Sequence, residues 1–295
     1  MIYRPRSLLW VLTLGVAALA QTPHPMPMSP EGAAPATAPA TTQAMARVEP
    51  DAEPVLARLA AAYAAVGPLH VTGQIVGTFD VAGRRQVYQL PVDGRTDGVG
   101  RFRHDAGYAG LIVSDTIRTF IYDQRRGAYT KLPADADRAP GRQPAADVDS
   151  ALVSVLLDEN PILLLTLTDD PAALLRRAAT TIRLAPTTRP DDFGLVLEQP
   201  AKQITLRLDA RDATIRASDI DYAPLMKSRK ATAVKAAGAT LTYTRAVAES
   251  SPPETFTWQP PDTATEFDLP GPPEQKELAR SATTRPTSPS TRPTD

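Results

Sequence analysis

From residue 71 to 81 the chain alternates. Val71, Gly73, Ile75, Gly77, Phe79 and Val81 fall on one side of an extended backbone, with Thr72, Gln74, Thr78 and Asp80 on the other. A period of two with one apolar side predicts a half-buried strand. Ala82-Gly83 reads as a turn, and 84–90 as the returning strand. Further strands are expected at 99–105, 109–115, 116–123 and 127–133, with the Asp- and Gly-rich stretch 93–98 as a loop. Gaps this short leave no room for a crossover, so neighbouring strands run antiparallel as a meander.

Two regions keep a helical period instead. Over 53–66, Val55, Leu56, Leu59, Ala62, Tyr63 and Val66 share a face, Pro54 sits in the first turn, and Gly67-Pro68 ends the run. In mid-chain, Val148, Ala151, Leu152, Val155 and Leu156 are spaced as a helix. Asn160-Pro161 and Asp170-Pro171 then read as a cap followed by a first-turn proline, each opening another short helix. Strands resume at 181–186, 193–199, 203–210, 214–222, 239–248 and 255–259, with Arg211-Asp212 as a tight hairpin. The pattern predicts a mainly β, α+β domain with two groups of strands flanking a helical insert.

Composition adds the ends. Arg4 and Arg6 precede the apolar run 7–20, and Ala18-Leu19-Ala20 is a small-x-small site. Residues 1–20 thus read as a signal peptide cleaved near Ala20, with a periplasmic destination. That run is shorter than the ~20 residues needed to cross a bilayer, and no membrane-spanning helix is expected in the mature chain. Residues 21–46 and 270–295 are rich in Pro, Thr, Ser and Ala, with too little to bury, and are expected as disordered tails around one domain at 47–269, a monomer. The chain has no cysteine, which excludes disulfides, thiol chemistry and an acylated cysteine anchor. A formal net charge of −1 offers no field suited to nucleic acid.

Several stretches then resemble one family. "GRFRHD" (100–105), "SDTIRTFIYDQRRGAYTKLP" (114–133), "ITLRLDARDATIRASDIDY" (204–222) and "TFTWQPPDTATEFD" (255–268) stand in the order of the strand motifs of the periplasmic LolA/LolB-like lipoprotein-carrier superfamily. The likeness spans roughly 53–268. Asp115-Thr116 departs from it where Asp-Gly is usual, and the absent cysteine departs from the anchored receptors. The resemblance implies a curved antiparallel half-barrel of about 11–12 strands, with the helices on the concave side. It also implies a non-catalytic carrier or sensor of a lipid or lipoprotein acyl chain, without cofactor.

A sheet bent around few helices would leave an apolar cleft, and each buried methylene of an acyl chain would contribute ~0.8 kcal/mol. The residues expected to line it are Ile75, Phe79, Phe102 and Ile121 from strands, and Leu163, Leu164 and Leu167 from the apolar insert. Arg103 and Arg118 stand at the rim for a head group or an envelope partner. A register slip of one residue would exchange the strand set. The alternative is an envelope structural or protein-interaction module with a filled, ligand-free barrel, in which the insert is plain core. His104, flanked by Asp105 and followed by Ser114, is read as a surface or rim histidine. Asp105 would point to the opposite side of the strand, and no nucleophile-elbow pattern surrounds Ser114. His70 and His104 belong to no metal-ligand spacing, so no metal or catalytic site is expected.

Overall fold

The computed structural model describes residues 45–132, 141–186, 192–231 and 233–267. The stretches expected as a signal peptide (1–20), most of the linker (21–46) and the tail (270–295) lie outside them. The chain runs β1 (Arg47–Val48), α1 (Glu53–Ala64), β2 (Leu69–Val81), β3 (Arg84–Thr96), β4 (Phe102–Asp105), β5 (Leu111–Ser114), β6 (Thr119–Asp123) and β7 (Ala128–Leu132). The insert follows as α2 (Ser150–Glu159), α3 (Pro161–Thr166) and α4 (Pro171–Ala178). Then come β8 (Thr181–Leu184), β9 (Asp192–Glu198), β10 (Gln203–Asp209), β11 (Ile215–Asp221), α5 (Ala223–Ser228), β12 (Val234–Ala248) and β13 (Thr265–Glu266).

All strands join one 13-stranded sheet in the order β1-β8-β9-β10-β11-β12-β2-β3-β4-β5-β6-β7-β13. The two halves of the meander meet at β12 and β2, whose antiparallel ladder runs from Val234↔Val81 to Ala248↔Leu69. The outermost pairs, β1 with β8 and β13 with β7, are parallel, so the sheet is mixed.

This overturns the expected half-barrel. The sheet is open and not strongly curled, and it ends in two short parallel strands rather than an all-antiparallel wall bent around a hollow. Short turns dictate which strands are neighbours but say nothing of curvature, which comes from twist and bulges. Register shifts among the described ladders occur only in β10·β11 and β12·β2.

Other differences have local causes. The stretch 93–96 is strand rather than loop, because it pairs with Leu69–Thr72 on one side and with β4 on the other. The expected strand at 255–259 is instead a 3₁₀ turn, Pro253–Phe256, followed by extended chain. Its two consecutive prolines at 252 and 253 offer no backbone donors to a ladder.

The helices form a layer on one face. Asn160 caps α3 by accepting from the Leu163 N–H at 3.2 Å, and Asp170 caps α4 by accepting from Ala173 N–H at 2.8 Å. Asp149 caps α2 by accepting from Ala151 N–H at 2.7 Å. The last carbonyls of α1 are satisfied from a distance. The Arg142 guanidinium donates to Tyr63 O at 2.8 Å and Ala64 O at 2.5 Å, and to Val66 O. Helix α3 is apolar but for Thr166, whose hydroxyl donates to Leu163 O, and every residue in it is buried. It packs among α1, α2 and α4 and against β3 and β11.

Candidate functional site

Opposed residues in an antiparallel pair share a face, so the register sorts the expected ligand residues. Ile75 faces Leu90 on β3. Thr96 of β3 faces Phe102, Phe102 faces Ser114, and Ile112 faces Ile121. Ile75, Phe79, Phe102 and Ile121 therefore all point to the helix side. Leu163, Leu164 and Leu167 meet them from the insert as part of the main core, which includes Phe79, Phe102 and Ile121. Ile75 packs in a smaller neighbouring cluster with Leu90, Val92 and Leu241.

These side chains are sealed. Leu163 and Leu164 are 0% exposed, Phe102 and Ile121 1%, Leu167 3%, and Ile75 and Phe79 5%. A group at 0% borders no space that admits a water molecule, so the leucines of α3 line no open acyl-sized cleft.

His104 lies on the same face and is 0% exposed, which corrects the reading of a surface histidine. It closes a polar network where α2 meets α3. Its Nε2–H donates to Glu159 Oε2 at 2.9 Å, and its Nδ1 accepts from Asn160 Nδ2 at 3.5 Å. Asn160 Oδ1 accepts from Tyr243 Oη at 3.2 Å, and that hydroxyl accepts from Ile162 N–H at 3.3 Å. Burial pushes the Tyr243 hydroxyl well above its ordinary value, which keeps it a donor. Gly94 makes the network possible, since a Cβ there would come within 2.3 Å of Asn160 Nδ2.

Ser114 does not join this network. Its Oγ accepts from Thr116 N–H at 3.4 Å and Thr119 Oγ1 at 3.1 Å. Asp105 points to the other face, where it approaches Arg103 at 3.6 Å. His104, Asp105 and Ser114 therefore form no triad. A second buried pair stands alongside, Lys202 Nζ donating to Asp158 Oδ1 at 2.5 Å.

Open space lies on the opposite face. Phe120 pairs with Lys131 and Tyr122 with Tyr129, so these four side chains rise on the side away from the helices. After the 3₁₀ turn the chain passes over them and sets Trp258 onto three rings. The centroids lie 5.5 Å from Phe120, 5.2 Å from Tyr122 and 6.1 Å from Tyr129. Fully buried Phe256, under the Arg101 guanidinium at 5.4 Å, fastens one end of this segment, and β13 fastens the other.

Between the crossing segment and the sheet is an open depression of about 750 Å³. It is lined by Asp115, Arg118, Phe120, Tyr129, Lys131 and residues 257–260. Tyr129 Oη and Lys131 Nζ both donate to Glu266 Oε2 at 2.9 Å. Those bonds, Lys131 foremost, hold the Glu266 carboxyl below its ordinary range, and the bond to Glu266 raises the Tyr129 hydroxyl. Asp115 Oδ1 is used on the Ile117 and Arg118 amides. The Arg118 guanidinium has no acidic partner among the described residues. Arg103 lies in a smaller depression of about 360 Å³ on this face, with Asp93, Arg95, Asp105 and Glu254. The two rim arginines thus sit on the face opposite the apolar set. The pocket joins 115–131 to 257–260, a juxtaposition no local motif announces. Its one legible signal is that Trp258 is one of only two tryptophans, the other being Trp10 in the apolar run 7–20.

Among the described residues no group of three His, Asp or Glu is placed to hold a metal ion, and no helix is long and apolar enough to cross a membrane. No family model matches the chain, and no curated protein does. Solved structures give distant likenesses. A LolA-superfamily protein from Nitrosomonas europaea is 8% identical at a TM-score of 0.30, over 70% of this chain and 97% of the other. MucB is 14% identical at 0.33, over 72% of this chain and 64% of MucB. A DUF1329 family protein from Desulfovibrio piger is 6% identical at 0.32, over 70% and 96%. At these scores they assign neither a fold nor a family.

Proposed function

We propose that this chain is an exported, non-catalytic binding protein of the cell envelope, and that its ligand is an amphiphile with an anionic head, such as a fatty acid or lipid. The ligand sits in the depression beneath Trp258, not among the helices. The observation that carries this reading is Arg118, a guanidinium without an acidic partner among the described residues, at the rim of an aromatic-floored pocket of about 750 Å³. That volume falls in the range of small-molecule sites, ~300–1,000 Å³. The rings of Phe120, Tyr129 and Trp258 offer apolar surface to the tail, and a guanidinium pairs well with a carboxylate or phosphate. Both walls are held in place before any ligand arrives, which lowers the ordering cost of binding.

The test is a titration of the mature chain with a brominated fatty acid, which quenches nearby indole. Trp258 is then the sole tryptophan, so quenching reports this pocket alone. Saturable quenching, weakened at least about tenfold by Arg118→Glu, is the expected result, given ~1.5–3 kcal/mol for a charge-assisted hydrogen bond. Binding seen by native mass spectrometry without quenching would move the ligand to another site. Absence of both would leave a ligand-free interaction module.

A further inference from the structure

The strand directions gather a second feature at the other end of the sheet. β2, β9 and β11 finish, and β3, β10 and β12 begin, at one end, because each of these pairs is antiparallel. The Trp258 pocket lies toward the opposite end, where β5 turns into β6. The β2–β3 hairpin carries Arg84 and Arg85 at its tip. The segment from α5 to β12 carries Lys227, Arg229, Lys230 and Lys235. A hydrogen bond from Ala82 N–H to Ala233 O, 2.6 Å long, ties the tip to that segment.

All six cations are exposed, and none makes a salt bridge among the described residues. Elsewhere the described arginines and lysines are often paired, as in Arg183–Glu198 and Arg207–Asp219. Asp80, opposite Arg85 in the ladder, and Asp221, at the end of β11 where it caps the start of α5, are acidic groups near them. Beside the charges Val87 stands 55% exposed. A formal net charge of −1 for the whole chain makes this a strong local asymmetry rather than a general basic character.

We infer that this end of the sheet docks on an anionic phospholipid bilayer surface. Charge complementarity argues for a polyanion, because uncompensated cations gathered at one end of the sheet, on strand ends and a short helix, attract one with little ordering cost. The shape argues for a membrane rather than a nucleic acid. Arg84, Arg85 and Lys235 stand at the ends of paired strands and Lys227, Arg229 and Lys230 on and just after α5, so the group meets a plane end-on, and among the described residues here no exposed aromatic side chain offers a platform for bases. Val87, three residues along β3 from Arg84, adds exposed apolar surface near the tip for the headgroup layer. Each Lys or Arg near an anionic leaflet strengthens attachment roughly fivefold.

The test is sedimentation of the mature full chain with vesicles of equal parts phosphatidylglycerol and phosphatidylcholine, and with phosphatidylcholine alone. Binding to the anionic vesicles only, fading as salt rises, is expected. Arg84→Gln/Arg85→Gln/Lys235→Gln should weaken it roughly a hundredfold. The variant should melt with the wild type, since none of the three side chains makes an ion pair among the described residues. If it does not, the wild-type salt and lipid dependence decides alone. Equal binding to neutral vesicles, indifference to salt, or capture by soluble polyphosphate with no binding to vesicles would each overturn the inference. So would a folded variant that binds within about twofold of wild type.

Discussion

Replacing Lys202 with methionine removes the ammonium facing Asp158 and keeps most of the stem. Asp158 Oδ1 accepts from Lys202 Nζ at 2.5 Å, and Oδ2 accepts from Tyr222 Oη at 3.3 Å. The pair is out of water, with the Asp158 side chain 2% exposed and that of Lys202 9%. Burial pushes the Asp158 carboxyl up, and Lys202 pulls it back. Without Lys202, a buried carboxylate is left with one neutral donor, a loss worth ~3–5 kcal/mol.

The carboxyl can escape by taking a proton, at about 1.4 kcal/mol for every pH unit above its ordinary value of 3.8. That escape caps the loss at ~4 kcal/mol at pH 7 and ~1.6 kcal/mol at pH 5. The sign follows from the raised carboxyl. The folded chain holds the proton more tightly than the unfolded chain, so stability is present in acid and is lost as pH rises through the folded value. Urea unfolding followed by circular dichroism and Trp258 fluorescence should show Lys202→Met about 3–4 kcal/mol less stable at pH 7 and under ~2 kcal/mol less stable at pH 5. Adding Asp158→Asn should flatten that pH dependence. A loss that stays below ~1 kcal/mol, or grows as pH falls, would refute the reasoning.

Leu164→Ala should cost ~2–5 kcal/mol in the same unfolding assay, because its side chain is fully buried in the main core; a near-neutral result would mean the insert is loosely packed. Amphiphile binding at Trp258 should survive that substitution under conditions where the variant stays folded. Thr116 sits at φ 83°, a left-handed conformation costly for a β-branched residue, so Thr116→Gly should raise stability by ~0.5–1 kcal/mol. A lower melting temperature would contradict that strain.

Local chemistry was legible where one segment sufficed. The alternation at 71–81 marks β2, and Asn160-Pro161 and Asp170-Pro171 mark the starts of α3 and α4, because capping and periodicity are properties of a few adjacent residues. Two-residue strands were not, since Arg47–Val48 and Thr265–Glu266 owe their strand geometry to distant partners. Nor was the shape of the sheet, because alternation encodes which side is buried and not how far the layer bends. His104 looked exposed beside Arg103 and Asp105. Its burial depends on Glu159 and Asn160, fifty-odd residues away, supplying partners for both ring nitrogens. Arg118 was identified as a rim residue from sequence, yet its aromatic surroundings arrive with Trp258 from the far end of the domain.

The central claim is that the helix-covered face is closed core and the opposite face is the binding surface. Hydrogen exchange of the mature chain, read by mass spectrometry with and without oleate, tests it directly. Amides of 161–167 should exchange only through global unfolding and ignore oleate, while those of 117–131 and 255–260 gain protection. Fast exchange in 161–167, or protection there on adding oleate, would place the ligand among the helices and contradict the account.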